Sequence, residues 1–388
     1  MHSAMKIVFC LLRSEIERRD GGAESLRNLL DGIRRFHGVQ ISVISAFGTY
    51  PSHSPYAPYP WRDSKAVPLI VYFYRMVKKV AADHDIVVLV LPNPAFAPLA
   101  DIIKQRMKKP IVVNYESRWH RLKDYRFVGD NLSWKNIGRL IAFNKLTSSL
   151  AKMLCNKYVV STNFQKEELI EIGYNPSKVI AIPNCTNISK YRFQDQEKNG
   201  REHYPVVMYL GHFNHSKGVD MLVKAMPHVL KSVPNAVMSL VWSGSGNEYQ
   251  RIRKLIHNHG LTNHTELTTG IVDISEYLSR ADVFVLPYRS LSRTRIIPSL
   301  VLEAFSVGVP LVVCDCDPIR DIVEDHKTGI VAPVNDPPRI GHGIIEFLES
   351  QSLREEIVRS QREVVQQRFS HMVVAKEYYQ MCVELLNG

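Results

Sequence analysis

Lys217 lies in the turn Gly211-His212-Phe213-Asn214-His215-Ser216-Lys217-Gly218, between the apolar run Val206–Leu210 and the helical pattern Val219–Leu230. A strand, a glycine-bearing turn with a lysine and a helix start form an anion site. Free N–H groups and the helix dipole favour phosphate there, and Lys217 adds a full charge. Taken by itself the turn has a structural reading of equal weight, because glycine is common at strand–helix junctions. A second turn, Ser243-Gly244-Ser245-Gly246, follows the next strand-like run. It either offers Gly244 to a ligand or merely lets the chain reverse.

The elements that must hold these turns are legible as apolar runs alternating with helical patterns. Val39–Ser45, Ile86–Leu91, Ile111–Tyr115 and Lys157–Ser161 lie in the first half; Val206–Leu210, Ala236–Trp242, Val283–Pro287 and Leu311–Cys314 lie in the second. Lys6–Leu12 reads as a first buried strand. Apolar runs separated by helices indicate parallel sheets covered on both faces. The pattern restarts after Tyr191–Tyr204, whose polar stretch reads as a linker. Two doubly wound, Rossmann-like domains are expected to face each other across a cleft, since ligands of such sheets sit at the carboxyl ends of the strands. The expected division is residues 1–195, 196–368 and a terminal helix, Phe369–Leu386, within 369–388.

The chain has 388 residues, 45% hydrophobic and 22% charged, as in a folded globular protein. No apolar run approaches the roughly 20 residues of a membrane span, and no signal-like start is visible, so a cytoplasmic protein is expected. The six cysteines, Cys314 and Cys316 among them, lack the spacing of a metal site and read as buried, reduced thiols. The net charge of +11 is uneven: residues 1–195 hold 29 Lys and Arg against 16 Asp and Glu, whereas the remainder holds 20 against 22. A surplus of this size in one half points to an anionic partner, with nucleic acid, anionic membrane and phosphorylated acceptor as candidates. Nucleic acid is disfavoured, because no aromatic-interleaved basic module is present. Residues 131–154 read as an amphipathic helix, with Trp134, Ile137, Leu140 and Ile141 on one side and Lys135, Arg139, Lys145 and Lys152 on the other. It suits either an anionic bilayer or the core with a solvated basic face. The Tyr- and Pro-rich 46–61 segment suits an acceptor loop.

In this order the pieces resemble glycosyltransferase family 4, the retaining family with the GT-B fold. Gly21-Gly22-Ala23-Glu24 looks like that family's N-terminal glycine loop, and the Gly211–Gly218 stretch looks like its phosphate loop. Pro298-Ser299-Leu300-Val301-Leu302-Glu303-Ala304-Phe305 through Pro310 resembles the family's most specific motif, continued by Gly329–Pro333 and Asn335-Asp336-Pro337. The resemblance implies a nucleotide-sugar donor bound by Gly22, Gly211, His212, Lys217, Gly244, Ile271, Arg295, Ile296, Ile297, Leu302 and Glu303. Lys217 is expected on the diphosphate and Glu303 on the ribose diol, a role suited to a carboxylate accepting two hydrogen bonds. It also implies that the terminal helix crosses back to the first domain. No cofactor and no metal are expected.

Three positions depart from the family pattern. His212 replaces an Arg just after the first glycine, losing the guanidinium fork. Arg295 stands eight positions before Glu303, where the family has a first Glu near the transferred sugar. Either Arg293 or Arg295 meets the sugar or an acidic group, or the loop is a basic surface whose contacts come from the amides of Ile296 and Ile297. Glu116 stands where an acceptor-side His is usual; it suits sugar hydroxyls or acceptor deprotonation, with a structural role equally open. With Lys217, Glu303 and Glu116 as catalytic candidates, the expected chemistry is metal-independent, front-face retaining transfer to a glycan or lipid-linked acceptor at the inner face of the cell membrane. A non-catalytic nucleotide-sugar-binding relative is the alternative, motivated by Arg295; a sugar epimerase fits the terminal motifs less well.

Overall fold

The structure, a computed structural model, describes residues 4–12, 21–46, 69–117, 150–191, 193, 204–242, 247–270, 273–291 and 298–388. Within them the chain builds two six-stranded sheets, and every pairing between named strands is parallel. The first contains β1 (Met5–Leu11), β2 (Val39–Ser45), β3 (Ile86–Leu91), β4 (Ile111–Tyr115), β5 (Lys157–Val160) and β6 (Val179–Ala181), in the order β2-β1-β3-β4-β5-β6. The second contains β7 (Val206–Gly211), β8 (Val237–Trp242), β9 (Thr265–Thr269), β10 (Val283–Leu286), β11 (Leu311–Cys314) and β12 (Ile330–Ala332), in the order β12-β11-β10-β7-β8-β9. The order reverses at β1/β3 in one sheet and at β7/β10 in the other. Helix N-termini diverge at such points and leave a crevice beyond the strand ends.

Helices on both faces explain the unbroken apolar strands. Alternate residues of β3 serve opposite cores. Val87 and Leu89 pack with Phe73 and Met76 of α2 (Leu69–Ala81) and Leu99 and Ile103 of α3 (Ala97–Gln105). Val88 and Val90 pack with Leu26 and Leu30 of α1 (Gly21–Ile33) and with Val374 and Tyr378 of the last helix. In the second half a single large cluster joins β7–β12 to the helices around them. All six cysteines are buried. Among the described residues no helix is long and apolar enough to cross a membrane.

Helix α4 (Asn163–Glu171) lies between β5 and β6; after β6 come α5 (Val219–Ser232), α6 (Asn247–Asn258), α7 (Ile274–Arg280), α8 (Ser299–Val307), α9 (Pro337–Glu349), α10 (Gln351–Val364) and α11 (His371–Asn387). Helix α11 returns to lie on α1. Gly32 permits the approach: a Cβ there would sit 2.6 Å from Ala375 Cβ and 2.7 Å from the His371 carbonyl oxygen. At the crossing point Thr186 N donates to Phe369 O and His371 N donates to Thr186 O, each at 2.9 Å.

Three sequence readings need correction. The terminal helix begins at His371, two residues later than expected, because Phe369 ends a π-turn (Val365–Phe369) and the Ser370 hydroxyl caps the new helix by accepting from Val373 N. The expected 131–154 helix does not reach its end as a helix: residues 151–154 are non-helical, since the Asp101 carboxylate takes the N–H groups of Lys152, Met153 and Leu154 at 2.6–3.0 Å. Residues 131–149 lie outside the described residues, as do 47–61 and the boundary drawn at 195. Finally, Gly21-Gly22-Ala23-Glu24 does not form a loop ahead of a helix; it is the first turn of α1.

Candidate donor and acceptor site

The phosphate-type loop forms at the β7/β10 switch point. Gly211 ends β7 with φ 135°. Asn214 then organises a single 3-10 turn over His215–Lys217, its Oδ1 accepting from Lys217 N at 3.0 Å and from Ser216 Oγ at 2.8 Å. Gly218 follows at φ 66°, where a Cβ would lie 1.9 Å from the Pro287 carbonyl oxygen. Only glycine combines that conformation with that approach. Helix α5 starts at the next residue, so its unpaired N–H groups open onto the loop. His212 is exposed, and its carbonyl accepts from Tyr209 OH at 2.8 Å.

A buried ion pair braces the loop from behind. Arg289 donates to Asp220 Oδ1 at 2.8 Å and Oδ2 at 2.7 Å, to His215 O at 2.8 Å and to Asn335 Oδ1 at 2.5 Å. Its own backbone N–H reaches Ser216 O at 2.9 Å. Both partners are buried, at 5% exposure for Arg289 and 6% for Asp220. Burial would raise the Asp220 pKa, but the Arg289 hydrogen bonds and charge outweigh it and hold the carboxyl below its usual range. From sequence Arg289 is one more residue in a basic loop; nothing in its spacing from Asp220 signals the pair.

Lys217 projects over the Tyr288 ring, its Nζ 3.9 Å from the ring centroid. Burial pulls its pKa down to about 7, opposed by the nearby Cys316 thiol. An ammonium desolvated in this way gains strongly from a phosphate anion placed against it.

Glu303 sits in the second turn of α8, 4% exposed, with Oε2 buried and without a hydrogen-bond partner. Burial pushes its pKa up to about 7; hydrogen bonds from Ser299 and Tyr191 oppose the rise, and the charge of Glu24 adds to it. With Leu302 it lines a cavity of about 10 Å³ against α1 and the segment after β6, including Glu24, Asn28, Thr186 and Tyr191. That volume holds about one water molecule. In the sequence Glu24 is only the last residue of the glycine motif, and nothing local reports its place opposite Glu303. Its Oε1 lies 2.5 Å from Lys190 Nζ and its Oε2 2.6 Å from Arg27 Nη2.

Glu116 follows β4 and lines a second cavity, about 40 Å³, beyond the ends of β3, β4, β5 and β6 with Asn114 and Ser161. Ser25, Asn184 and Cys185 line both cavities, so the two adjoin there; the cavity at Glu116 lies within the first domain and under Tyr378 of α11, and only the cavity at Glu303 reaches the second domain. Gly22 lies in the first turn of α1. Gly244, Ile271, Arg293, Arg295, Ile296 and Ile297 lie outside the described residues.

Two facing parallel-sheet domains with the terminal helix crossing back define the GT-B fold. Sucrose-phosphate synthase from Thermosynechococcus elongatus superposes with a TM-score of 0.77 over 99% of each chain at 18% identity. The Anabaena protein HepE, solved in complex with UDP, gives 0.73 over 98% of this chain and 100% of its own at 14% identity. Residues 19–190 match the family described as Glycosyltransferase Family 4, and residues 191–364 match Glycosyl transferases group 1. The chain belongs to glycosyltransferase family 4. An uncharacterized glycosyltransferase of Haemophilus influenzae is 24% identical over 58% of this chain and 61% of its own, so the match spans only about three-fifths of that relative's length. Phosphatidyl-myo-inositol mannosyltransferase of Mycobacterium leprae is 25% identical over 92% of this chain and 91% of its own.

Proposed function

We propose that the protein transfers a sugar from a nucleotide-sugar to a hydroxyl of a glycan or lipid-linked acceptor, with retention at the anomeric carbon and without a metal. The observation that carries this reading is the placement of Lys217 and Glu303. A desolvated cation lies over the Tyr288 ring beside the start of α5, and the same Tyr288 feels the charge of Glu303, a buried carboxylate whose unpartnered oxygen faces the cavity between α1 and α8. The first suits a diphosphate and the second a ribose diol. UDP in the HepE structure and the mannosyltransferase name of the mycobacterial relative support a nucleotide-sugar donor and a lipid-linked acceptor. The basic first half supports an anionic acceptor or membrane surface, reached from the cytoplasmic side.

In the reaction the bond from the anomeric carbon to the leaving phosphate oxygen breaks, and a bond to the acceptor oxygen forms on the same face. The acceptor proton passes to the departing phosphate oxygen. Lys217 and the N–H groups opening α5 stabilise the charge that grows on that leaving group. Glu303 anchors the nucleoside, while Glu116, beyond β4, aligns the acceptor. Because the cavity at Glu303 admits about one water molecule, a ribose reaches it only when α1 and α8 part, so donor capture includes a domain movement.

The test is product stereochemistry. With an α-linked nucleotide-sugar, NMR of the product is expected to show an α-linkage, and EDTA is expected to leave the rate unchanged. A β-linked product, or activity lost to EDTA and restored by a divalent cation, contradicts the mechanism. Sugar-nucleotide binding without turnover of any glycan or lipid acceptor supports the non-catalytic relative that Arg295 motivates.

A further inference from the structure

Helices α1 and α8 approach across the domain seam and bring two carboxylates to the same small cavity, Glu24 from one side and Glu303 from the other. The two are not equivalent. Glu24 is ion-paired twice, to Lys190 and Arg27, and these bonds outweigh its partial burial and keep it ionised well into the acid range. Glu303 has no cationic partner among the described residues, and one of its oxygens has no hydrogen bond. We propose that Glu24 is a positioning residue whose carboxylate, facing Glu303 across the α1–α8 seam, sets the acid limit of donor binding. The inference rests on the reading of Glu303 as the ligand of the donor's ribose diol.

A neutral carboxyl offers a diol one good acceptor oxygen, whereas a carboxylate offers two. The donor therefore selects ionised Glu303. Ionisation places two negative charges across one seam, and the diol hydroxyls compensate the second of them when the donor is bound. Below about pH 7 Glu303 is protonated in the free protein, and donor binding must displace that proton. Other charged or titratable groups near the seam do not replace Glu24 in this role. Lys190 and Arg27 are bonded to it, and Tyr191 donates to Glu303. Tyr288 is held in its neutral form by burial. Of the elements packed on α8, α10 contributes Arg362, which donates to Ser306 O at 3.1 Å. Helix α7 contributes Glu276 and Arg280, the latter 3.8 Å from Glu266. The π-turn contributes Arg368, which donates to Asp321 O at 3.3 Å.

The sign is fixed by charge. Removing the Glu24 charge leaves Arg27 and Lys190 uncompensated, so Glu303 ionises more easily. Removing Lys190 leaves the Glu24 charge unscreened, so Glu303 ionises less easily. The experiment measures binding of UDP-glucose and of GDP-mannose to the full chain by calorimetry from about pH 5.5 to 8.5. These probes carry no phosphate group that titrates near neutrality. In the unaltered protein, affinity is expected to fall towards about tenfold per pH unit on the acid side. Glu24→Gln should move that limb about one pH unit lower, and Lys190→Met should move it higher. Both side chains are partly exposed, so neither change threatens the fold. Glu303→Gln should remove the limb. An acid limb that stays in place in both Glu24→Gln and Lys190→Met, yet vanishes in Glu303→Gln, overturns the role of Glu24 and leaves the donor site standing. Unchanged affinity and an unchanged limb in Glu303→Gln overturns the donor site itself.

Discussion

Lys217→Ala is expected to lower kcat/KM for the nucleotide-sugar by about 10²–10³-fold, the usual loss when one leaving-group donor is removed from a preorganised site. The fold should tolerate the change. Lys217 makes no ion pair among the described residues, and its Nζ rests on the Tyr288 ring at 3.9 Å. The same position predicts a pH effect. In the free protein burial brings the Lys217 pKa down to about 7, so the charge needed for diphosphate binding is lost as the pH rises past that value. Glu303 titrates near the same pH in the opposite functional sense, because its charged form is the one that binds. Donor affinity should therefore be bell-shaped with a maximum near neutrality. Lys217→Arg, whose guanidinium stays charged, should remove the alkaline limb while keeping the acid one. Steady-state kinetics checks the first expectation and a pH series of binding checks the second. A Lys217→Ala protein within about threefold of the original kcat/KM would place the diphosphate elsewhere, since a lost donor of this kind costs far more.

Breaking the Arg289–Asp220 pair should have the largest effect on stability. Either Arg289→Met or Asp220→Ala strands a buried charge, which costs about 3–5 kcal/mol. For a domain of this size that corresponds to a fall in Tm of roughly 10 °C, measurable by thermal or urea unfolding. Replacing both residues by apolar ones should recover much of the loss, because no charge is then left unpaired. The pH dependence has a definite sign. Asp220 has a depressed pKa in the folded state, so its contribution is present above the unfolded carboxylate value of about 4. It is lost as the pH falls through the folded value. The pair also holds His215 O and, through the Arg289 backbone, Ser216 O. Donor binding should weaken in the single variants even where they remain folded. A single variant that unfolds within about 1 kcal/mol of the parent protein would show that the pair braces nothing, since a surface pair costs no more.

The residues that make strands were legible because burial on two faces leaves an unbroken apolar run. Ile86–Leu91 is buried at every position and ends where it was expected to end. The loop carrying Lys217 was legible because Gly218 and the helix start are local features of one short segment. Glu303 was reached through a family motif rather than through its own environment. What escaped is what the chain brings together from far apart. Glu24 and Glu303 lie nearly three hundred residues from each other in sequence, and no local pattern reports that α1 and α8 share a seam. Arg289 gives no local signal of its pairing with Asp220, because sequence records its charge and not its partner. The end of the 131–154 pattern failed for the same reason. Hydrophobic spacing allowed a helix there, and a single carboxylate on α3, Asp101, took the backbone N–H groups of residues 152–154 instead.

The central claim is that Lys217 and Glu303 hold the diphosphate and the ribose of one nucleotide-sugar. Thermal unfolding of the purified protein with a panel of nucleotide-sugars, repeated with Lys217→Ala and Glu303→Ala, tests it most directly. A ligand bound only by the folded state adds about 2.7 kcal/mol at a hundredfold excess over its Kd. The account predicts an upward shift in Tm with one nucleotide class, lost or sharply reduced in both variants. Equal shifts in all three proteins, or no shift with any nucleotide-sugar, would contradict it.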